Sequence, residues 1–229
     1  MMESKQRVLE GKIPMWVGVM AKITGKCNST GWLIENTVVE KLYREELSGS
    51  TKMTTTRQMT CDDLLRMNNV NLDQYTATYN QEFYLQYLAQ WPEYFVVNDN
   101  PDGRMMGYVI GKIEGKNTNW HGHVSAVTVA PEARRLGLAG RLMEYLENVS
   151  DDIHHGYFVD LYVRISNSVA ITMYKNLGYI IYRQIDGYYS GKEDAYDMRK
   201  ALARDPGKLS EIPMDPLRVK PGVGAPSGD

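Results

Sequence analysis

The run Val127-Thr-Val-Ala-Pro-Glu-Ala-Arg134-Arg135-Leu136-Gly137-Leu138-Ala139 constrains this chain more than any other stretch. A β-branched segment, His123-Val-Ser-Ala-Val-Thr-Val129, feeds a basic turn with one glycine, after which Leu138, Leu142, Leu146 and Val149 recur at helical spacing on one face. Strand, turn and helix in that order set a helix N-terminus, with its unpaired N–H groups and partial positive charge, directly behind two arginines. Gly137 and Ala139 keep side-chain bulk out of the turn, so a phosphate can reach the backbone. The spacing Arg-x-x-Gly-x-Ala differs from the Gly-x-x-x-x-Gly-Lys-Ser/Thr loop of nucleotide hydrolases and from the Gly-x-Gly-x-x-Gly dinucleotide turn, which argues against ATP and NAD as ligands.

Strand and helix patterns go on alternating toward the C-terminus. Tyr157-Phe-Val-Asp-Leu-Tyr-Val-Arg164 predicts a second strand, Asn167 stands at an N-cap, and Val169, Ala170, Met173, Tyr174 and Leu177 supply a helical apolar face that stops at Gly178. Tyr179-Ile-Ile-Tyr-Arg183 predicts a third strand. In this order the chain resembles the GNAT acetyltransferases. Their coenzyme A turn has the form Gln/Arg-x-x-Gly-x-Gly/Ala, and after it come a splayed neighbouring strand, an Asn-led helix carrying a tyrosine, and an exit matched here by Leu177-Gly178-Tyr179. The resemblance implies an α/β GNAT fold: a mixed, mostly antiparallel central sheet with splayed central strands and flanking helices.

Composition bounds the rest. A chain of 229 residues, 43% hydrophobic and 24% charged, can bury one full-sized core. Its formal charge of -2 gives no electrostatic ground for direct nucleic-acid binding. Cys27 and Cys61 are too few for a disulfide framework, and no zinc spacing surrounds them, so free thiols and no metal are expected. His154 and His155 lie in a polar loop expected to be a solvated turn. The apolar run Ile13–Ala21 is too short to span a membrane, and Glu3 and Glu10 sit badly in a transit peptide. We therefore expect a cytoplasmic enzyme in three parts: residues 1–52 as an N-terminal extension, unstructured or an artefact of the gene model; 53–205 as the acetyltransferase domain, opened by a capping box at Thr60-Cys-Asp-Asp63; and 206–229, rich in Pro and Gly, as a flexible tail.

Within the superfamily, the chain resembles the NatB-type catalytic subunits of N-terminal acetyltransferases. The resemblance covers Met53 to about Asp205. It rests on Cys61-Asp-Asp-Leu, Asn68-Asn-Val-Asn-Leu-Asp73, Phe83-Tyr-Leu-Gln-Tyr-Leu88, Trp91-Pro-Glu-Tyr-Phe95, Trp120-His-Gly-His123 and Asp194-Ala-Tyr-Asp-Met-Arg-Lys200. One departure is Ala77, in Tyr75-Thr-Ala77-Thr-Tyr79, where such subunits generally carry an acidic residue. The implied reaction is acetyl transfer from acetyl-CoA to the α-amino group of proteins starting Met-Asp, Met-Glu, Met-Asn or Met-Gln.

The resemblance also implies a site, residue by residue. Val127 offers a backbone N–H to the thioester oxygen, Val129 pairs with pantetheine, and Arg134, Arg135, Gly137, Leu138 and Ala139 hold the pyrophosphate. Tyr174 is the candidate acid toward sulfur, and Asn167 faces coenzyme or substrate. His123 and Ser125, placed on one strand face by period-2 alternation, are candidate donors to the second residue of the substrate. Tyr79, Tyr188 and Tyr189 fold over the peptide. On residue type alone, Tyr174 reads first as a core-edge aromatic, Asn167 as a cap, and His123 also as a strand histidine satisfied beside Trp120. The implied partner is a large auxiliary subunit of TPR-like repeats that grips the 62–69 and 82–90 helices and brings the pair to the ribosome and its nascent N-termini. An acetyltransferase for lysine or small amines, or a coenzyme A-binding scaffold without activity, are the alternatives.

Overall fold

The computed structural model describes residues 54–76 and 78–214. The extension at 1–52, Ala77 and the tail beyond Met214 lie outside the described residues. Seven strands form one sheet in the order β1-β2-β3-β4-β5-β7-β6. They are β1 (Thr55–Gln58), β2 (Phe95–Asp99), β3 (Met105–Glu114), β4 (His121–Val129), β5 (Phe158–Arg164), β6 (Ile180–Tyr189) and β7 (Glu193–Ala201). Every neighbouring pair is antiparallel except β4 and β5, which run parallel. That parallel pairing covers only His121–Val124 against Phe158–Leu161. Beyond it both strands continue without partnering each other, and a V-shaped gap opens in the middle of the sheet. The expected mixed sheet with splayed central strands is what forms.

Three α-helices flank it: α1 (Gln81–Gln90), α2 (Leu138–Asn148) and α3 (Ser168–Asn176). Residues Cys61–Asn69, expected as a first helix, wind as a 3-10 helix. Its N-terminus is closed as the capping box predicts, with Asp63 accepting from Thr60 N–H at 2.8 Å and from Thr60 Oγ1 at 3.0 Å. The same carboxylate is almost wholly buried and accepts from Arg57 Nη1, Arg57 Nη2 and Arg66 Nη1, each at 2.7 Å. Arg57 and Arg66 also reach Asp99 at the end of β2. This cluster ties the N-terminal segment to the sheet.

The core lies between α2 and the sheet. Leu138, Leu142, Leu146 and Val149 are all buried, as their spacing predicts, and each contributes about 1.5–3 kcal/mol of apolar burial. The helix sits so close that Gly122 on β4 has no room for a side chain: an added Cβ would lie 2.1 Å from Ser150 Oγ. Ser150 is held there by Leu146 O at 2.8 Å and Tyr94 Oη at 3.0 Å.

Three expectations change. Val169, counted on the apolar face of α3, is 78% exposed, because the first turn of that helix stands clear of the sheet. Residues 206–214, expected as the start of a flexible tail, fold back on the domain. Asp205 caps Leu209 and Ser210, Glu211 accepts from Ala201 N–H at 2.9 Å, and Met214 N–H donates to Tyr182 O at 2.9 Å. The prolines there shape a packed turn rather than a linker. The His154 loop is not simply solvated either. His154 Nε2 lies 2.7 Å from Glu93 and its ring stacks on Tyr94. Among the described residues no group of three or more His, Cys, Asp or Glu could hold a metal ion.

Candidate active site

The gap between β4 and β5 widens into a cleft of about 1330 Å³. Its walls take residues from β4, β5, α2 and α3, with Tyr79, Phe83, Tyr87, Tyr188 and Tyr189 at one end and Arg134, Arg135, Gly137, Leu138 and Ala139 at the other. All fourteen site residues expected from the sequence line this one cavity.

The phosphate turn has the backbone that an anion requires. Positive φ occurs at Arg135 (67°) and again at Gly137 (78°), so the chain folds outward twice before α2 begins at Leu138. A Cβ on Gly137 would meet no protein atom within 4 Å. The glycine therefore answers to its left-handed backbone and to the open space in front of it, not to crowding by neighbours. The N–H groups of the first turn of α2 have no intrahelical acceptors and converge on that space. Arg134 spans the turn, donating from Nε to Val129 O at 3.2 Å and pairing with Asp73 at 2.9 Å.

Strand alternation fixes what β4 presents to the gap. Ala130 N–H donates to Met106 O, so counting back by twos, Thr128 and Ala126 direct their N–H groups at β3. Val127 and Val129 consequently aim theirs away from β3, into the gap where β5 has departed. Among the described residues these two backbone donors have no strand partner on the cleft floor. The register of β4 slips between Ile110 and Gly111, which leaves Ser125 as the unpaired residue of a bulge. His123 and Ser125 both line the cleft, Ser125 from the bulge and His123 from the regular ladder opposite Lys112.

Asn167 caps α3 as predicted, its Oδ1 accepting from Ala170 N–H at 3.1 Å. Tyr174, one helix length behind, is 7% exposed, and among the described residues its hydroxyl makes no hydrogen bond. Burial pushes that phenol well above the ordinary tyrosine value, so it remains a proton donor. A buried hydroxyl without a partner, opening on a cavity, waits for a ligand atom. At the other end, Tyr79 Oη donates to Ser125 O at 3.3 Å and its ring stacks on Phe83, which stacks on Tyr87. Tyr189 Oη donates to Tyr162 O at 3.2 Å, Tyr188 packs edge-on against Tyr162 and Tyr189, and Arg164 lies over the Tyr189 ring. Burial pushes Tyr188 up to about 12, so this aromatic mouth offers neutral hydroxyls.

His123 has a partner that its strand neighbours did not suggest. Its Nδ1 lies 2.7 Å from Asp160 Oδ1, and the Asp160 carboxylate is buried beneath it with His121 Nε2 3.4 Å from the other oxygen. The cleft also takes in Phe83, Tyr87 and Lys112, which sequence reasoning did not single out. Phe83 and Tyr87 had a signal, the i, i+4 spacing of aromatics on one helix face; Lys112 on β3 had none.

Comparison with known proteins decides the family. Residues 64–179 match the acetyltransferase (GNAT) family. The chain is 59% identical over 162 residues to the N-terminal acetyltransferase B complex catalytic subunit NAA20 of Arabidopsis thaliana, a match covering 71% of this chain and 93% of that protein. The chain belongs to the GNAT acetyltransferase family. Within it, it is a catalytic subunit of the NatB type of N-terminal acetyltransferase. The Schizosaccharomyces pombe N-terminal acetyltransferase B complex catalytic subunit naa20 agrees, at 52% identity over 164 residues, 69% of this chain and 91% of that one. Among solved structures, Chaetomium thermophilum Naa20 in complex with a bisubstrate analogue superposes with a TM-score of 0.66 at 42% identity, covering 70% of this chain and 93% of that chain. A NatB acetyltransferase complex bound to CoA and MES gives 0.60 at 39% identity, with 65% and 99% covered.

Proposed function

We propose that this chain transfers the acetyl group of acetyl-CoA to the α-amino group of proteins beginning Met-Asp, Met-Glu, Met-Asn or Met-Gln. One observation carries the reading: a single cleft joins an anion-binding turn to an aromatic mouth across two free backbone N–H groups. The turn at Arg134–Ala139 fits a pyrophosphate, with open space ahead of Gly137 and the first turn of α2 behind it. The mouth fits an extended N-terminus, with Tyr79, Tyr188 and Tyr189 over its backbone and Phe83 and Tyr87 beside the Met side chain.

The chemistry asks little of a base. An α-amino group titrates near 7.7–8.0, so roughly a tenth is neutral at pH 7 and deprotonation costs on the order of 1 kcal/mol. Holding the amine against the thioester carbon supplies the largest share, up to about 7–11 kcal/mol. As the C–N bond forms, the carbonyl oxygen gains charge, and Val127 N–H donates to it, a donor of a kind worth about 2.7–4 kcal/mol. As the C–S bond breaks, Tyr174 Oη gives its proton to sulfur, and the proton shed by the acylated nitrogen leaves through solvent, from which the phenol is restored. Val129 N–H pairs with the pantetheine arm, and Asn167 caps the N-terminus of α3, the helix whose last turn carries Tyr174.

The chain acts with a TPR-like auxiliary subunit, which would bring it to nascent chains at the ribosome in the cytoplasm. Leu65, Leu72 and Leu85, exposed on the 3-10 helix, the segment after it and α1, offer the apolar contacts such a partner needs. Among the described residues no helix is long and apolar enough to cross a membrane. The test is acetylation by the co-expressed pair of peptides starting Met-Asp, Met-Glu, Met-Asn, Met-Gln, Met-Leu and Ser-Ala, beside an internal-lysine peptide. Turnover confined to the first four supports the reading. Activity on lysine alone, or acetyl-CoA binding without turnover, overturns it.

A further inference from the structure

An acid serves the departing sulfur only if its proton is held at one place, and Tyr174 has no protein partner at its hydroxyl to hold it there. Its position must come from whatever packs against the ring. Tyr179 does so. Gly178, at φ 93°, reverses the chain at the end of α3 and brings Tyr179 back beneath Tyr174. Tyr179 N–H donates to Tyr174 O at 3.0 Å, and the two rings meet edge to face with centroids 5.9 Å apart.

Tyr179 is itself fixed at its far end. Its buried hydroxyl donates to Glu147 Oε1 at 2.9 Å, and Lys200 Nζ on β7 donates to Glu147 Oε2 at 2.6 Å. Lys200 Nζ also lies 5.9 Å from the Tyr179 ring centroid. Neither Tyr179, Glu147 nor Lys200 is among the residues lining the cleft, and Glu147 and Lys200 face a second cavity of about 490 Å³. They can act on the reaction only through Tyr174. Glu147 belongs to the last turn of α2, the helix whose first turn closes the phosphate site at Gly137 and Leu138. Nine residues of helix separate Leu138 from Glu147, a rigid span of about 14 Å.

We infer that Tyr179 and Glu147 are positioning residues: Glu147 holds the Tyr179 hydroxyl, the Tyr179 ring holds Tyr174, and α2 thereby sets the acid at a fixed distance from the phosphate turn. One helix then governs both ends of the coenzyme, its pyrophosphate at the first turn and its sulfur, through Tyr179 and Tyr174, at the last. The inference rests on the proposed role of Tyr174. It assigns a function in the reaction to an ion pair and a hydroxyl that lie outside the cleft.

The experiment is steady-state kinetics on the co-expressed pair with a Met-Asp peptide, for Tyr179→Phe, Tyr174→Phe and the double variant, each with a thermal melt. Tyr179→Phe keeps the ring and frees its far end, so kcat should fall roughly tenfold with both KM values unchanged. The double variant should be no slower than Tyr174→Phe, because no proton remains to be positioned. A structural role alone would multiply the two losses, or lower Tm in step with activity. Glu147→Leu should match Tyr179→Phe, and Glu147→Gln, which keeps an acceptor for the hydroxyl, should recover most of what Glu147→Leu loses; this pair decides the matter if Tyr179→Phe does not fold. Wild-type kcat in Tyr179→Phe, multiplied losses in the double variant, or equal losses in Glu147→Gln and Glu147→Leu overturn the inference and leave Tyr174 standing as the acid. Wild-type kcat in Tyr174→Phe removes both.

Discussion

Tyr174→Phe separates chemistry from folding more cleanly than any other change in the cleft. The ring is buried against Tyr179 and keeps all of its apolar contacts in the variant. Among the described residues the lost hydroxyl had no hydrogen-bond partner, so no donor or acceptor is stranded. Stability should hold to within about 0.5 kcal/mol, a shift of about 2 °C or less in Tm for a domain of this size. Catalysis should not hold. Removing a general acid costs about 10²-fold in rate, some 2.7 kcal/mol of barrier, and because sulfur takes the proton only as the bond breaks, the loss should fall on kcat with both KM values unchanged. Burial holds the wild-type phenol protonated to well above pH 10, so the wild-type rate should show no fall from this residue at alkaline pH. Steady-state kinetics with a Met-Asp peptide, alongside thermal melts, make the test. A variant with wild-type kcat, or one whose loss tracks a lowered Tm, would refute the assignment of Tyr174 as acid.

Gly137→Ala places a methyl where the backbone has φ 78° and where the phosphate is to lie; it should cost about 1–2 kcal/mol of stability and raise KM for acetyl-CoA at least about tenfold while leaving peptide KM alone. Titrations of each substrate distinguish the two, and an unchanged acetyl-CoA KM would count against the turn as the phosphate site. Asp63→Asn should lower stability by about 1–3 kcal/mol, because Arg57 and Arg66 lose one of two shared carboxylates while keeping Asp99 and partial access to solvent, and urea melts at neutral pH would read it. The wild-type dependence on pH has a definite sign. Burial opposes charge on Asp63, but Arg57 and Thr60 hold its carboxyl well below the usual range in the folded state. The stabilisation is therefore complete above the unfolded value of about 3.9 and is lost as pH falls below it, a loss that Asp63→Asn should not show.

Local signals made the coenzyme end of the cleft legible. The strand, the turn and α2 are contiguous, so periodicity, the Arg-x-x-Gly spacing and the Asn167 cap could each be seen within a dozen residues. The substrate end was legible only in part. Asp160 lies 37 residues from His123, and the two meet because β4 and β5 pair in parallel with His123 opposite Asp160. The bulge at Ser125 is a property of the β3–β4 register, and no pattern along β4 alone announces it. The same holds for the ion cluster joining Arg57, Asp63, Arg66 and Asp99, whose members come from three elements. Residues 206–214 misled for a different reason. Proline and glycine there signal a turn, and whether a turn is packed depends on what it meets, here Tyr182 and Ala201.

The central claim is that coenzyme and peptide N-terminus meet head to head between the α2 turn and the tyrosine mouth. A structure of the co-expressed pair holding a conjugate of coenzyme A and a Met-Asp peptide tests it most directly. The account predicts the pyrophosphate on the N–H groups of Gly137–Ala139, the sulfur within about 3.5 Å of Tyr174 Oη, and the Asp side chain beside His123 Nε2. A conjugate whose sulfur lies away from Tyr174, or whose peptide leaves the cleft without passing Tyr79, Tyr188 and Tyr189, would contradict it.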